Sequence, residues 1–257
     1  MTNNKTTVAE VPCLHKGKLG DPPLHAHPQF SDEKAAAAKQ QLQSSLVTFV
    51  ERRAFPCVGA KSALAQGTLE IVTAGSITSG ADDRRIHDTL EQWSDACSAE
   101  PRGFRSLAVV FSGPDALSEQ AFERALWDRL GSLIAKDGSR GNEYDPSVSS
   151  DPNDPHFALS FGGKAYFAVG LHPQASRKAR RMPYPTIVFN LHDQFERLRK
   201  EQRYERLREV ILARDMEFDG KPNPMVARHG DISEARQYSG RAVGEDWECP
   251  FSPEDTP

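Results

Sequence analysis

Two strand patterns that alternate with two helix patterns constrain this fold more than any other feature of the chain. Residues 69–74 and 106–111 are short apolar runs, which are typical of buried strands. Each run is followed by apolar residues at helical spacing, over 82–96 and from an N-capping Ser118 onward. Because this β-α-β-α order leaves each helix beside the sheet, it favours helices packed against one sheet.

The second half of the chain adds a hairpin and a further strand. Residues 157–161 and 164–171 flank Gly162-Gly163, a turn typical of a two-residue β-hairpin. Residues 186–190 form another strand pattern, and 193–215 predict one long helix or two short ones. We therefore predict an α+β fold, with helices packed against a mixed β-sheet and a loop-rich C-terminal half.

The N-terminal segment differs from the rest of the chain. Residues 1–30 contain several prolines and little periodicity, and they predict a flexible leader before a helix over 32–50. Three histidines in this leader either bind a metal or belong to a polar tail. No linker divides the remainder, so we expect residues 31–257 to form a single domain. The leader histidines are His15, His25 and His27.

Composition excludes several classes of protein. A net charge of -4 argues against a dedicated nucleic-acid binder. No apolar run approaches the roughly 18 residues of a membrane helix. Four scattered cysteines without a CxxC pair argue against a disulfide framework or structural zinc, and they favour the reducing cytoplasm. The chain also lacks the GxGxxG, GxxxxGK[ST], GxSxG and HExxH motifs of common enzyme classes.

The segment after the hairpin concentrates candidate chemistry. His172 stands where a strand ends, and Arg177, Lys178, Arg180 and Arg181 follow it closely. Imidazole is an axial ligand of haem iron, and guanidinium groups bind carboxylates such as the two propionates. The alternative is a strand end followed by a solvated basic surface.

Other residues offer further possibilities. Cys57 follows a proline and is either a thiolate ligand for haem iron or a buried apolar cysteine. His192 follows a strand and begins a helix, where it has a site role or a structural one. An acidic loop that contains Asp151 and Asp154 either receives a cationic substrate or forms proline-bounded turns.

Five ordered blocks of the sequence carry a family resemblance. Together they resemble the YqcI/YcgG family from about residue 45 to 251, and the leader lies outside the match. The blocks are FPCVGAKS (55–62), DPSVSSDP (145–152), AVGLHP (168–173) with ASRKARR (175–181), VFNLH (188–192) and QYSGR (237–241).

The resemblance implies a haem-dependent enzyme. Members of this family resemble the haem-dependent N-hydroxylases of guanitoxin, cycloserine-type and phosphonate pathways. This implies haem b, oxygen or peroxide activation, and hydroxylation of a guanidine or amine nitrogen of an arginine-like small molecule. His172 is then the expected metal ligand, with Arg177, Arg180 and Arg181 at the propionates and Cys57 as the alternative ligand.

The resemblance also suggests where the substrate binds. A guanidinium needs a carboxylate that binds it and accepts a proton, for which Glu234, Asp151 and Asp154 are candidates.

An electron-donor protein and a homodimer are further expected partners. A haem sensor or carrier without enzyme activity, and an anion-binding module without haem, are the rival functions. Candidates for substrate contact are Tyr238, Trp247, Asn190 and His192.

Overall fold

A computed structural model describes residues 28–99, 103–221, 223–225 and 230–251. The first helix begins at Pro28, so nearly all of the predicted leader and its three histidines lie outside the described residues. Among the described residues, no helix combines the length and the apolar character needed to cross a membrane.

The sheet confirms the predicted α+β class. Its five strands lie in the order β1-β2-β5-β4-β3, with β1 and β2 parallel and the other pairs antiparallel, so the sheet is mixed. The predicted hairpin turns at Gly162 and Gly163, which both adopt positive φ angles of 58° and 68° that glycine tolerates. The strands are β1 (Leu69–Ser76), β2 (Ser106–Gly113), β3 (Leu159–Phe161), β4 (Lys164–Leu171) and β5 (Thr186–Leu191).

Helices cover both faces of this sheet. Helices α3 and α4 pack on one face, and α1, α2 and α6 lie over the other. Ser118 caps α4 as predicted, since its hydroxyl accepts a hydrogen bond from the Ala121 N–H. The helices are α1 (Pro28–Glu51), α2 (Val58–Ala65), α3 (Asp83–Ala99), α4 (Glu119–Ser139), α5 (His192–Lys200), α6 (Tyr204–Asp219) and α7 (Ala235–Tyr238).

The face under α3 and α4 holds a closed aromatic core. The predicted helix stripe of α4, which includes Phe122, Leu126 and Leu130, is fully buried there. Trp127 packs between Phe157 and Tyr238 at centroid distances of 6.4 Å and 5.7 Å. This core fixes α4 against the centre of the sheet.

Some elements differ from the sequence-based expectation. Strand β3 is shorter than predicted, and residues 193–215 form two helices, one of the two alternatives. Helix α2 was not predicted, because Cys57 provides an unusual N-cap in which sulfur accepts the Ala60 N–H at 3.4 Å.

Candidate functional site

A cavity of about 260 Å³ lies between the sheet and the helices of the second face. Strands β4 and β5 form its floor, and α1, α2 and α6 form its walls. Most of its lining is apolar, which is typical of small-molecule sites. Its polar lining includes Cys57, Ser106, Arg180, Asn190, Tyr204 and Asp215.

Strand alternation decides which residues of β4 reach this cavity. Phe167, Val169 and Leu171 all line it. Successive side chains of a strand point to opposite faces. At the intervening Gly170, an added Cβ would lie 2.6 Å from Leu126 and 2.8 Å from Phe122 on α4. The residues between the cavity-lining positions therefore face the closed core.

His172 follows this alternation and lies on the α4 side, which corrects its expected position beside the arginines of one clamp. Its ring is 1% exposed and stacks on Phe122 with a centroid distance of 4.3 Å. Burial lowers the pKa of His172 to about 4, so the ring is neutral at physiological pH. His172 does not line the cavity.

Cys57 does line the cavity, at the N-terminus of α2. Backbone N–H groups and the positive end of a helix stabilise a thiolate. Burial nevertheless raises the pKa of the thiol above its ordinary value, against the effects of these backbone hydrogen bonds and of Arg180. The sulfur is therefore a protonated thiol until a positive charge or a metal ion binds it.

The three predicted clamp arginines have different positions. Arg177 is buried in ion pairs with Asp215 and Asp219, at 2.6 Å and 3.2 Å. Arg181 donates to the carbonyls of Ala175 and Ser176. Only Arg180 lines the cavity, so the predicted three-arginine clamp is reduced to one residue.

Arg180 is a partly buried guanidinium that forms no ion pair with a carboxylate among the described residues. It donates instead to the backbone carbonyls of Gly170 and Gln237, at 3.0 Å and 3.3 Å. Burial lowers its pKa to about 10. A partly buried cation of this kind favours an anionic ligand, because an anion would compensate the lost hydration.

Asn190 contributes an amide to the cavity wall. The Ser106 hydroxyl donates to its Oδ1 at 2.7 Å, and this contact fixes the orientation of the amide. The amide N–H groups of Asn190 are then the donors that a ligand meets.

Asp215 is a cavity-lining carboxylate that the sequence analysis missed. It stands on α6, and Arg177 binds its Oδ2 at 2.6 Å. Burial raises the pKa of Asp215, although the neighbouring Arg177 opposes that shift. The apolar spacing of Leu207, Ile211 and Leu212 on the same helix was the signal that α6 faces an apolar space.

His192 and Glu234 form a pair just outside the cavity. His192 Nε2 lies 2.9 Å from a Glu234 carboxylate oxygen, and both side chains are largely buried. Glu234 immediately precedes α7, whose Gln237 does line the cavity. Glu234 also lies close enough to Tyr204 to raise the pKa of that phenol, after the larger effect of burial.

The other predicted substrate residues lie elsewhere. Asp151 and Asp154 accept hydrogen bonds from backbone N–H groups of their own loop, as in the alternative of proline-bounded turns. Tyr238 is fully buried in the closed core. Trp247 donates its indole N–H to Glu123, a buried carboxylate that also binds Arg241.

Comparison with known proteins identifies the family. No curated protein and no solved structure gives a significant match to the chain. One family model, that of the YqcI/YcgG family, matches residues 46–252. This match covers most of the chain and includes every residue that lines the cavity. The chain therefore belongs to the YqcI/YcgG family.

Proposed function

We propose that this protein is a haem-dependent monooxygenase that hydroxylates a guanidine or amine nitrogen of a small molecule. The observation that carries the proposal is an apolar cavity with a cysteine thiol in its wall, beside a partly buried guanidinium that forms no ion pair among the described residues. The resemblance of the sequence blocks to haem-dependent N-hydroxylases supports the same chemistry.

Two residues of the cavity wall would hold the haem. Cys57 offers a thiolate, the ligand that favours O–O bond cleavage, at a helix N-terminus that stabilises its negative charge. Iron binding would displace the proton that burial keeps on this sulfur. Arg180 offers a guanidinium for a propionate, in place of the carboxylate partner that it lacks among the described residues.

The volume of the cavity limits whether haem can enter it. A cavity of about 260 Å³ is slightly smaller than the roughly 300–1,000 Å³ of most small-molecule sites. Haem is a large cofactor, so its binding requires a wall to move outward. We expect α6 to be that wall, because its cavity-lining Leu207 and Ile211 are only partly buried.

Asp215 and Asn190 are the residues proposed to act on the substrate. Haem, when bound, supplies the activation of O2 or peroxide. Arg177 holds Asp215 through Oδ2, so Oδ1 is the oxygen that receives a guanidinium proton. The raised pKa of Asp215 brings this carboxylate closer to the pH at which a base works well. Asn190 orients the substrate by donating its amide N–H groups to a substrate acceptor, such as the carboxylate of arginine.

Turnover tests the proposal. Haem-loaded protein is incubated with arginine or agmatine, and with peroxide or with O2, a reductant and an electron-donor protein. We expect a product that is heavier by one oxygen atom. Haem uptake without this product, over a panel of guanidines and amines, would contradict the enzyme and favour a haem sensor or carrier.

Two variants of α6 locate the proton acceptor. Asp215→Asn should abolish most turnover and leave the haem absorption unchanged. Asp219→Asn is the matched control, since Asp219 also pairs with Arg177 but does not line the cavity. Equal losses in both variants would show that the pairing with Arg177 matters and would contradict the role given to Asp215.

A further inference from the structure

A second cluster of potential ligands lies on α3, beneath the opposite face of the sheet from the cavity. His87, Asp88 and Glu91 each offer one atom, and these atoms lie within 4.8 Å of one another. We infer that this cluster binds a divalent transition-metal ion, and that Zn²⁺ is the ion that fits it. The inference does not depend on the proposed function.

His87 provides the observation that points to a ligand. Its side chain is fully buried, and its Nδ1 atom makes no hydrogen bond to any of the described residues. This atom lies 3.4 Å from Glu91 Oε2, so it is directed into the cluster. A buried nitrogen without a partner costs free energy, which a bound cation would recover.

Asp137 fixes which nitrogen of His87 carries the hydrogen. Its Oδ1 lies 2.7 Å from His87 Nε2 and also accepts hydrogen bonds from Asn142 and the Gly162 N–H, both at 2.8 Å. A carboxylate that accepts from Nε2–H leaves the lone pair on Nδ1. A carboxylate, a histidine and a metal in this order are the usual arrangement around a protein-bound zinc ion.

The distance between the first two ligands suits one ion. Zinc binds nitrogen and carboxylate oxygen at about 2.0–2.2 Å, so two of its tetrahedral ligands lie about 3.3–3.6 Å apart. His87 Nδ1 and Glu91 Oε2 lie 3.4 Å apart. One imidazole and two carboxylates leave a fourth position for water, as in zinc sites with three protein ligands.

Charge in the cluster favours a cation with more than one positive charge. Among the described residues, Asp88 and Glu91 both pair with the guanidinium of Arg140, while the third carboxylate, Asp137, pairs with His87. Arg84 acts on Asp88 as a second, weaker cation. Negative charge therefore remains in excess. Arg140 is one-third exposed, so it can turn toward solvent when a metal ion binds.

Zinc titration of the metal-free full chain tests the inference. We expect Glu91→Gln and Asp88→Asn to weaken zinc binding at least tenfold, and Asp137→Asn to weaken it roughly 10–100-fold. Asp95→Asn is the matched control, because Asp95 lies on the same helix, is 76% exposed and pairs with Lys164 outside the cluster. Isothermal calorimetry and the visible spectrum of a Co²⁺-substituted sample measure the effect.

Removal of the competing guanidinium of Arg140 should have the opposite effect on zinc affinity. Arg140→Ala should tighten zinc binding, because it frees both carboxylates. The inference is overturned if wild type and Glu91→Gln bind zinc equally, since any zinc would then be held elsewhere, for example by the leader histidines. Unchanged or weaker binding by Arg140→Ala would overturn it as well.

Discussion

The two faces of the sheet differ in how completely their helices are packed. On the α4 face, Phe122, Leu126 and Trp127 are at most 2% exposed, and their rings and methyl groups fill the space. On the α6 face, Leu207, Ile211 and Leu212 are only partly buried and surround a cavity. One sheet thus supports a closed core on one side and an incompletely filled space on the other.

This difference separates stability from ligand binding. Close packing on the α4 face fixes the strands, so the residues that project from the other face have defined positions. Cys57 and Arg180 lie on that other face, where a ligand has room. His172 carries a reactive group but stacks on Phe122 in the closed core, away from that cavity.

The largest expected effect on stability comes from truncating one leucine on each face of the sheet. Leu126→Ala should lower the free energy of unfolding by about 2–5 kcal/mol, because it opens a void in a filled core. Leu207→Ala should lower it by less than about 1 kcal/mol, because that side chain already borders a cavity. Urea denaturation of both variants measures the difference. Equal losses would contradict the contrast between the faces.

A smaller effect on stability is expected from the buried imidazole of His172. The pKa of His172 is lowered from 6.5 to about 4, so the unfolded chain binds a proton more tightly than the folded one. The stabilisation is complete above pH 6.5 and is lost as the pH falls towards 4, by about 3 kcal/mol at 1.36 kcal/mol per pKa unit. Urea denaturation of wild type and His172→Gln at several pH values measures this loss.

The variant should show a shallower decline than wild type over that pH range. Parallel curves for His172→Gln and wild type would place His172 in a solvated environment, contrary to the packed face described above.

Sequence patterns predicted most of the fold. The β-α-β-α segment, the hairpin at Gly162 and Gly163 and the Ser118 cap were all confirmed, because each depends on local spacing. The α2 helix was missed because its cap is a cysteine, which is not among the usual capping residues. Rules that rely on the usual capping residues therefore miss a helix whose N-cap is a different residue.

The candidate site was less predictable, because it depends on which face each residue reaches. His172 and Arg180 are close in sequence, yet the first packs on Phe122 and the second lines the cavity. Strand alternation places His172 on the face opposite Val169, whereas the turn that carries Arg180 follows no such period. Asp215 lines the cavity because helix α6 packs over this face of the sheet, although α6 is distant in sequence from Cys57.

The central claim is that the cavity holds haem through Cys57. Haemin titration of metal-free protein, followed by Soret absorption, tests it on wild type, Cys57→Ala and His172→Gln. Cys97→Ala is a matched control, since Cys97 is also partly buried but packs on the closed core. We predict that wild type, His172→Gln and Cys97→Ala bind haem with one shared spectrum, and that Cys57→Ala loses haem or changes its spectrum. Wild type that takes up no haem, or loss of haem in His172→Gln alone, would contradict the account.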